Sequence, residues 1–155
     1  MHQCDRKRIE AHLLRLDSGD RVKRFCGTLT DTNIVSLLGN IDWHHTCILG
    51  CFVDRELRGL AHISPLPDRD DEAEIAISVD SAFRREGMAT GLTEAAMRWA
   101  ADNGFTAVSM VMLAENMPMR RLAIKLGFHM SEINNQTFAR RAWRPHALES
   151  SAVFT

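Results

Sequence analysis

Apolar residues recur along this chain with two different periods, and the switches between them mark its elements. Ile9, Leu13 and Leu16 line one face and predict a helix over about Lys7 to Leu16. Asp17-Ser-Gly-Asp20 interrupts that pattern. Thr30 or Asp31 can cap a second helix carrying Ile34, Val35, Leu37 and Leu38, with Gly39-Asn40 as its stop. The period then shortens. Thr46 to Val53 is an apolar run, Asp54-Arg55-Glu56 a turn, and Leu57 to Ile63 a second strand. Pro65, Pro67 and the acidic stretch to Asp71 predict a polar loop. A third strand spans about Glu72 to Val79, with Glu74, Ala76 and Ser78 on one face and Ile75, Ile77 and Val79 on the other.

A long helix is predicted from Gly87 to Asp102, with Met88, Leu92, Ala95 and Trp99 as its buried stripe. The Met and Trp side chains there read as core. Asn103-Gly104 stops the helix, and Val108 to Leu113 is a short strand. Pro118 suits the first turn of a helix over Met117 to Leu126, which Gly127-Phe128 ends. Asn134-Asn135 predicts a hairpin, and Thr137 to Trp143 the last strand. No repeat or linker breaks the order. The expectation is one mixed α/β domain over residues 1–155, with 145–155 as a loosely held tail.

At 155 residues the chain can bury one real core, and its 45% hydrophobic and 25% charged residues are those of a globular protein. A net charge of -1 provides no field to recruit nucleic acid or an anionic membrane. The first ten residues lack the apolar run of a signal peptide, and no stretch approaches a membrane span, so a cytoplasmic protein is expected. Cys47 and Cys51 could share a strand face near His44, His45 and His62, but their spacing fits no standard zinc pattern. Buried thiols and ordinary polar histidines are the simpler reading, and no metal is expected.

The chemistry concentrates in Arg84-Arg-Glu-Gly-Met-Ala-Thr90, a turn that opens the long helix. A helix N-terminus is already partly positive, so two arginines there are unfavourable unless an anion joins them. A solvated basic turn is the competing reading. No dinucleotide or Walker pattern is present.

Arg84-x-x-Gly87-x-Ala89 resembles the Arg/Gln-x-x-Gly-x-Gly/Ala signature of the GNAT N-acetyltransferases. The stretch from Asn116 through Leu122 to Gly127-Phe128 resembles that family's second motif. The likeness covers about Cys47 to Phe128. A narrower likeness, to the acetyltransferase module of bacterial Pat-type protein lysine acetyltransferases, lies in Arg21-x-x-Arg24-Phe25, in Ala73-Glu74-Ile-Ala-Ile and in Leu113-Ala-Glu-Asn116.

The resemblance implies the GNAT acyl-CoA N-acyltransferase fold: an α+β mixed sheet with N-terminal helices, mostly antiparallel, in which two parallel strands splay apart. Those two, the family's fourth and fifth, would here be Glu74–Val79 and Val108–Leu113. It implies acetyl-CoA as cosubstrate. Its pyrophosphate would be held by Arg84, Arg85, Gly87, Met88, Ala89 and Thr90, and its pantetheine arm by main-chain groups of Ile77 and Val79, with Asn116 close by. A helix cap is the other role open to Asn116.

A lysine amine has a reference pKa of about 10.4, so a base is useful at neutral pH. The resemblance places Glu74 in that role, with Glu72 as fallback; a solvent-facing strand glutamate is the alternative. Many GNAT enzymes use a tyrosine as general acid. This chain has none, and Ala123 stands at the matching position, as in the Pat-type group. The implied activity is direct acetyl transfer to an amine, foremost a protein lysine, with small amines, protein N-termini and a non-catalytic acyl-CoA sensor as alternatives. A homodimer stays open.

Overall fold

Residues 1–143 are described by the structure, a computed structural model. The tail expected over 145–155 lies outside the described residues. Among the described residues five α-helices, α1 (Arg6–Arg15), α2 (Ser18–Phe25), α3 (Asp31–Gly39), α4 (Met88–Asp102) and α5 (Met117–Lys125), pack on one sheet. Its strands are β1 (Cys47–Val53), β2 (Glu56–Leu66), β3 (Arg69–Val79), β4 (Ala107–Leu113), β5 (His129–Ile133) and β6 (Gln136–Ala142). They run in the order β1-β2-β3-β4-β6-β5. Every neighbouring pair is antiparallel except β3 and β4, which are parallel.

Alternation along the strands sorts side chains into two cores. Ile75, Ile77, Val108, Met110 and Met112 face α4 and α5, where they meet Leu92, Ala96, Ala100, Leu122 and Phe128. Leu57, Leu60 and Ile48 face the other way, onto Ile9 and Leu13 of α1 and Ile34 and Leu38 of α3. The predicted alternation on β3 is therefore the real one: Glu74, Ala76 and Ser78 share the face that α1 and α2 cover.

Three expectations need correction. The break at Asp17 does end α1, with Leu16 extended, but it is followed at once by α2, because Asp17 accepts from the Asp20 N–H at 2.8 Å and caps it. On α4 the buried stripe is Leu92, Ala96 and Ala100 rather than Met88, Leu92, Ala95 and Trp99. A Cβ at Gly59 would lie 2.5 Å from Met88 Sδ and 3.0 Å from Leu92 Cδ1, so this end of α4 packs closely on β2. The polar loop over 65–71 shrinks to a tight turn, with β2 running to Leu66 and a register shift beside Pro65.

The parallel pair is short. Glu72, Ala73 and Glu74 pair with Ala107, Val108 and Ser109, and no pairing follows. Glu72 clamps this joined part. Its carboxylate takes Arg140 Nη2 at 2.6 Å and Nε at 3.0 Å, from β6 across β4, and Arg69 at 3.2 Å. Thr106 adds its N–H to the Asp71 carbonyl at 2.7 Å.

Candidate active site

Beyond Glu74 and Ser109 the two parallel strands part, and each stays bonded only to its outer neighbour. Main-chain groups of alternate residues point to opposite edges of a strand. Thr106 reaches the Asp71 carbonyl on the β4 side, whereas the Asp80 N–H bonds the Arg58 carbonyl on the β2 side. By that parity Ile75, Ile77 and Val79 present their N–H and C=O groups to the gap. Across it, Ala114 bonds Asn135 toward β6, so Val111 also faces inward.

A cleft of about 860 Å³ fills the gap and continues to the start of α4. Ile77, Val79, Arg84, Arg85, Gly87, Met88, Ala89, Thr90 and Asn116 all line it. Glu74 lies one residue outside this lining, at the closed end where the strands meet.

The far end is built by backbone. Gly87 is the N-cap of α4 with φ +83°, a left-handed conformation that a side chain would strain. A Cβ there would meet nothing within 4 Å, so the space beside it is open. Having no side chain, Gly87 caps nothing. The first bond of the helix runs from the Gly91 N–H to the Gly87 carbonyl, which leaves the amides of the first turn without helical partners. Arg85, at φ +66°, is exposed. Arg84 is engaged: its Nη2 lies 2.5 Å from Asp20 Oδ2, and Nε and Nη2 each lie 3.1 Å from the Val79 carbonyl. That ion pair docks α2 onto the turn. Asn116 is buried and is the N-cap of α5, but its side chain makes no capping bond, so the amide stays available to the cleft.

At the closed end, α2 brings a second set of groups over Glu74. Cys26 closes α2 at φ +53°, and its thiol donates to the Val111 carbonyl at 3.9 Å. Burial pushes that thiol's pKa up, and the Glu74 carboxylate adds to the rise. Arg24 lines the cleft with its Nε buried and without a hydrogen-bond partner. Burial lowers its pKa to about 10, against the field of Glu74. His62, opposite Ala76 on β2, is pushed down to about 4 by burial and then by Arg24, so it is neutral at pH 7. Glu72 differs from Glu74. Bonded to Arg140 and Arg69, its carboxyl is held below the usual range, which removes it as a fallback base.

A second polar group flanks the cleft. His12 is fully buried, with Nε2 at 2.8 Å from Ser78 Oγ and Nδ1 at 2.9 Å from Asp80 Oδ1. The latter approach is close but too poorly angled for a hydrogen bond. Asp80 also holds Arg15 and Arg58, each at 3.1 Å. Burial lowers the His12 pKa. This Ser-His-Asp chain lies four residues along β3 from Glu74 and ties α1 to the strand.

Sequence reasoning found the α4 turn, because its signal is local. It named Arg24 only within a longer resemblance and gave it no place. It gave Arg140, the clamp on Glu72, no role, since the two are 68 positions apart.

The same architecture is found in solved structures. The GNAT domain of PAT from S. lividans superposes with a TM-score of 0.78 at 17% identity, covering 92% of this chain and 88% of that one. YncA, a putative acetyltransferase from Salmonella typhimurium solved with its cofactor acetyl-CoA, gives 0.70 at 14%, covering 97% and 95%. The PaiA N-acetyltransferase from Thermoplasma acidophilum, in complex with coenzyme A, gives 0.69 at 12%, covering 92% and 96%. No curated protein matches the sequence. The model of the acetyltransferase (GNAT) family does match, over residues 16–128, a span that holds α2, the parted strands, the α4 turn and α5. By that match and this fold, the chain belongs to the GNAT acetyltransferase family.

Proposed function

We propose that the chain moves the acetyl group of acetyl-CoA directly to the side-chain amine of a protein lysine. One observation carries the reading: β3 and β4 part immediately beyond Glu74, which leaves open strand edges with a carboxylate at their closed end. An extended amide chain suits those edges, since Ile77 turns its N–H and C=O, and Val79 its N–H, to the gap, while the Val79 carbonyl is taken by Arg84. The pyrophosphate goes to the other end, where the first-turn amides of α4 and Arg85 converge. Arg84 supports that end by holding α2 against the turn.

Glu74 is the base in this reading. It takes a proton from the incoming ammonium, and the freed amine nitrogen attacks the thioester carbonyl carbon. The new C–N bond forms, the C–S bond breaks, and the thiolate leaves to take a proton from solvent or from the amine. Glu74 suits the task because, among the described residues, no cation lies within salt-bridge distance of it, whereas Glu72 is held by two arginines. The absence of tyrosine, with Ala123 in its place, fits the Pat-type subgroup, as do Arg21-x-x-Arg24-Phe25 and Ala73-Glu74.

Glu74→Gln tests the assignment. Acetyl-CoA affinity by calorimetry should stay within about threefold while transfer to lysine peptides falls by about 10²-fold or more. Unchanged transfer would remove Glu74 from the chemistry. Acetyl-CoA binding with no transfer to lysine peptides, small amines or protein N-termini would make the chain an acyl-CoA-binding module instead.

A further inference from the structure

Helix α2 carries three cations, of which Lys23 and Arg24 line the cleft, and two of the three have carboxylates. Arg21 Nη1 lies 2.6 Å from Asp31, and Lys23 Nζ 4.0 Å from Asp20. Arg24 has none: among the described residues no carboxylate oxygen lies within 4.0 Å of it, and its buried Nε has no partner. Its guanidinium rests on the Phe25 ring, 4.8 Å from the centroid, which orients the plane without neutralising it. Arg24 is half-buried, but its buried Nε–H has no acceptor, which is costly for a guanidinium, and the group stays charged at pH 7 with its pKa lowered to about 10.

Position decides what anion it serves. The α4 turn already has its own donors and its own arginines. Arg24 sits toward the opposite end, where its field reaches Glu74 on β3 and His62 on β2. That end therefore presents a carboxylate and a guanidinium that feel each other's field but, among the described residues, form no ion pair. Such a pair is complementary to an ammonium with a carboxylate near it.

We propose that Arg24 is the anion receptor of the acceptor half of the site, so that the amine acetylated beside Glu74 carries a neighbouring carboxylate. The inference rests on the reading of Glu74 as the acceptor's base. Two sources supply this chemistry: an acidic residue next to a lysine in a protein segment, or the free α-carboxylate of a small amino acid. Arg24 binds the carboxylate in a charge-assisted, two-pronged contact and thereby turns the amine toward Glu74.

Two matched pairs of acceptors test it: the blocked peptides acetyl-Ala-Asp-Lys-Ala-amide and acetyl-Ala-Asn-Lys-Ala-amide, and free lysine against lysinamide. Coenzyme A release should give kcat/KM about tenfold or more higher for the carboxylate member of one pair, mainly through KM. The preferred pair identifies the source. Arg24→Gln should bring that ratio close to one, and Arg24→Lys should keep part of it. In wild type, the Arg24 Nε–H resonance should shift saturably with the carboxylate member and not with its neutral partner. Equal turnover within both pairs, with that resonance unmoved, overturns the proposal without needing any variant to fold. If no amine releases coenzyme A while the aspartate peptide still shifts Arg24, the anion receptor stands and the transfer reading fails.

Discussion

Glu72 and Glu74 stand two residues apart on one face of β3, yet they belong to different regions. Around Glu72 the parallel strands are joined, and Arg140 reaches over β4 to pin them. From Glu74 onward they diverge, and among the described residues no cation forms an ion pair with this carboxylate. The strand is regular through both parts, so the difference is not made by β3 itself. It is made by what crosses it: β6 and its arginine below, and α2 with Arg24 and Cys26 above. A carboxylate becomes a structural tie or an available base according to which distant element arrives opposite it.

The sharpest way to break this comparison is to neutralise both carboxylates in turn. Glu74→Gln should cost about 10²-fold in transfer, and Glu72→Gln no more than about threefold. A loss in the second as deep as in the first would erase the distinction. At the far end of the cleft, Gly87→Glu should weaken acetyl-CoA binding by roughly tenfold or more in calorimetry. It places a side chain at φ +83° and an anion where an anion is expected to bind.

Acid titration separates the two regions as well. His62 is favoured neutral in the fold, with its pKa pushed down to about 4 by burial and by Arg24, while the unfolded chain takes up this proton near 6.5. Its contribution is complete above pH 6.5 and is lost as pH falls toward 4. It amounts to roughly 1–2 kcal/mol after allowance for its partial exposure. Urea unfolding at a series of pH values should show that slope in wild type and a flatter one in His62→Gln. The smallest effect belongs to the clamp. Glu72 has little accessible surface because two largely exposed arginines lie over it, not because it sits deep in the core. Glu72→Gln should therefore cost about 1 kcal/mol, a few degrees in Tm. No change in Tm would mean that the joined part of the sheet does not need its clamp.

These regions were unequally legible in the sequence. The α4 turn, the α5 start at Pro118 and the Asn134-Asn135 hairpin were readable because glycine, proline and asparagine act on their own backbone. Both hairpin asparagines are indeed at positive φ. Helix α2 was not readable. Ser18-Gly19-Asp20 looks like a breaker, and the helix is held by contacts its own sequence does not show: Arg84 on Asp20, and Arg21 on the Leu14 and Leu16 carbonyls. Arg24 was obscured with it. The stripe on α4 was misplaced because its alanines look alike in sequence, and only packing shows that Ala96 and Ala100, not Ala95, are the ones fully buried.

The joined strands at Glu72 also give the cleft a fixed zero point. From Glu74 to Val79 is five strand steps, about 17 Å. A molecule must span that length, extended, to touch the carboxylate and the α4 turn together. The site thus works as a gauge. If Glu74 and the α4 turn serve as proposed, a nucleotide or a short acyl ester can occupy one end, but only a carrier with a long flexible arm can reach both.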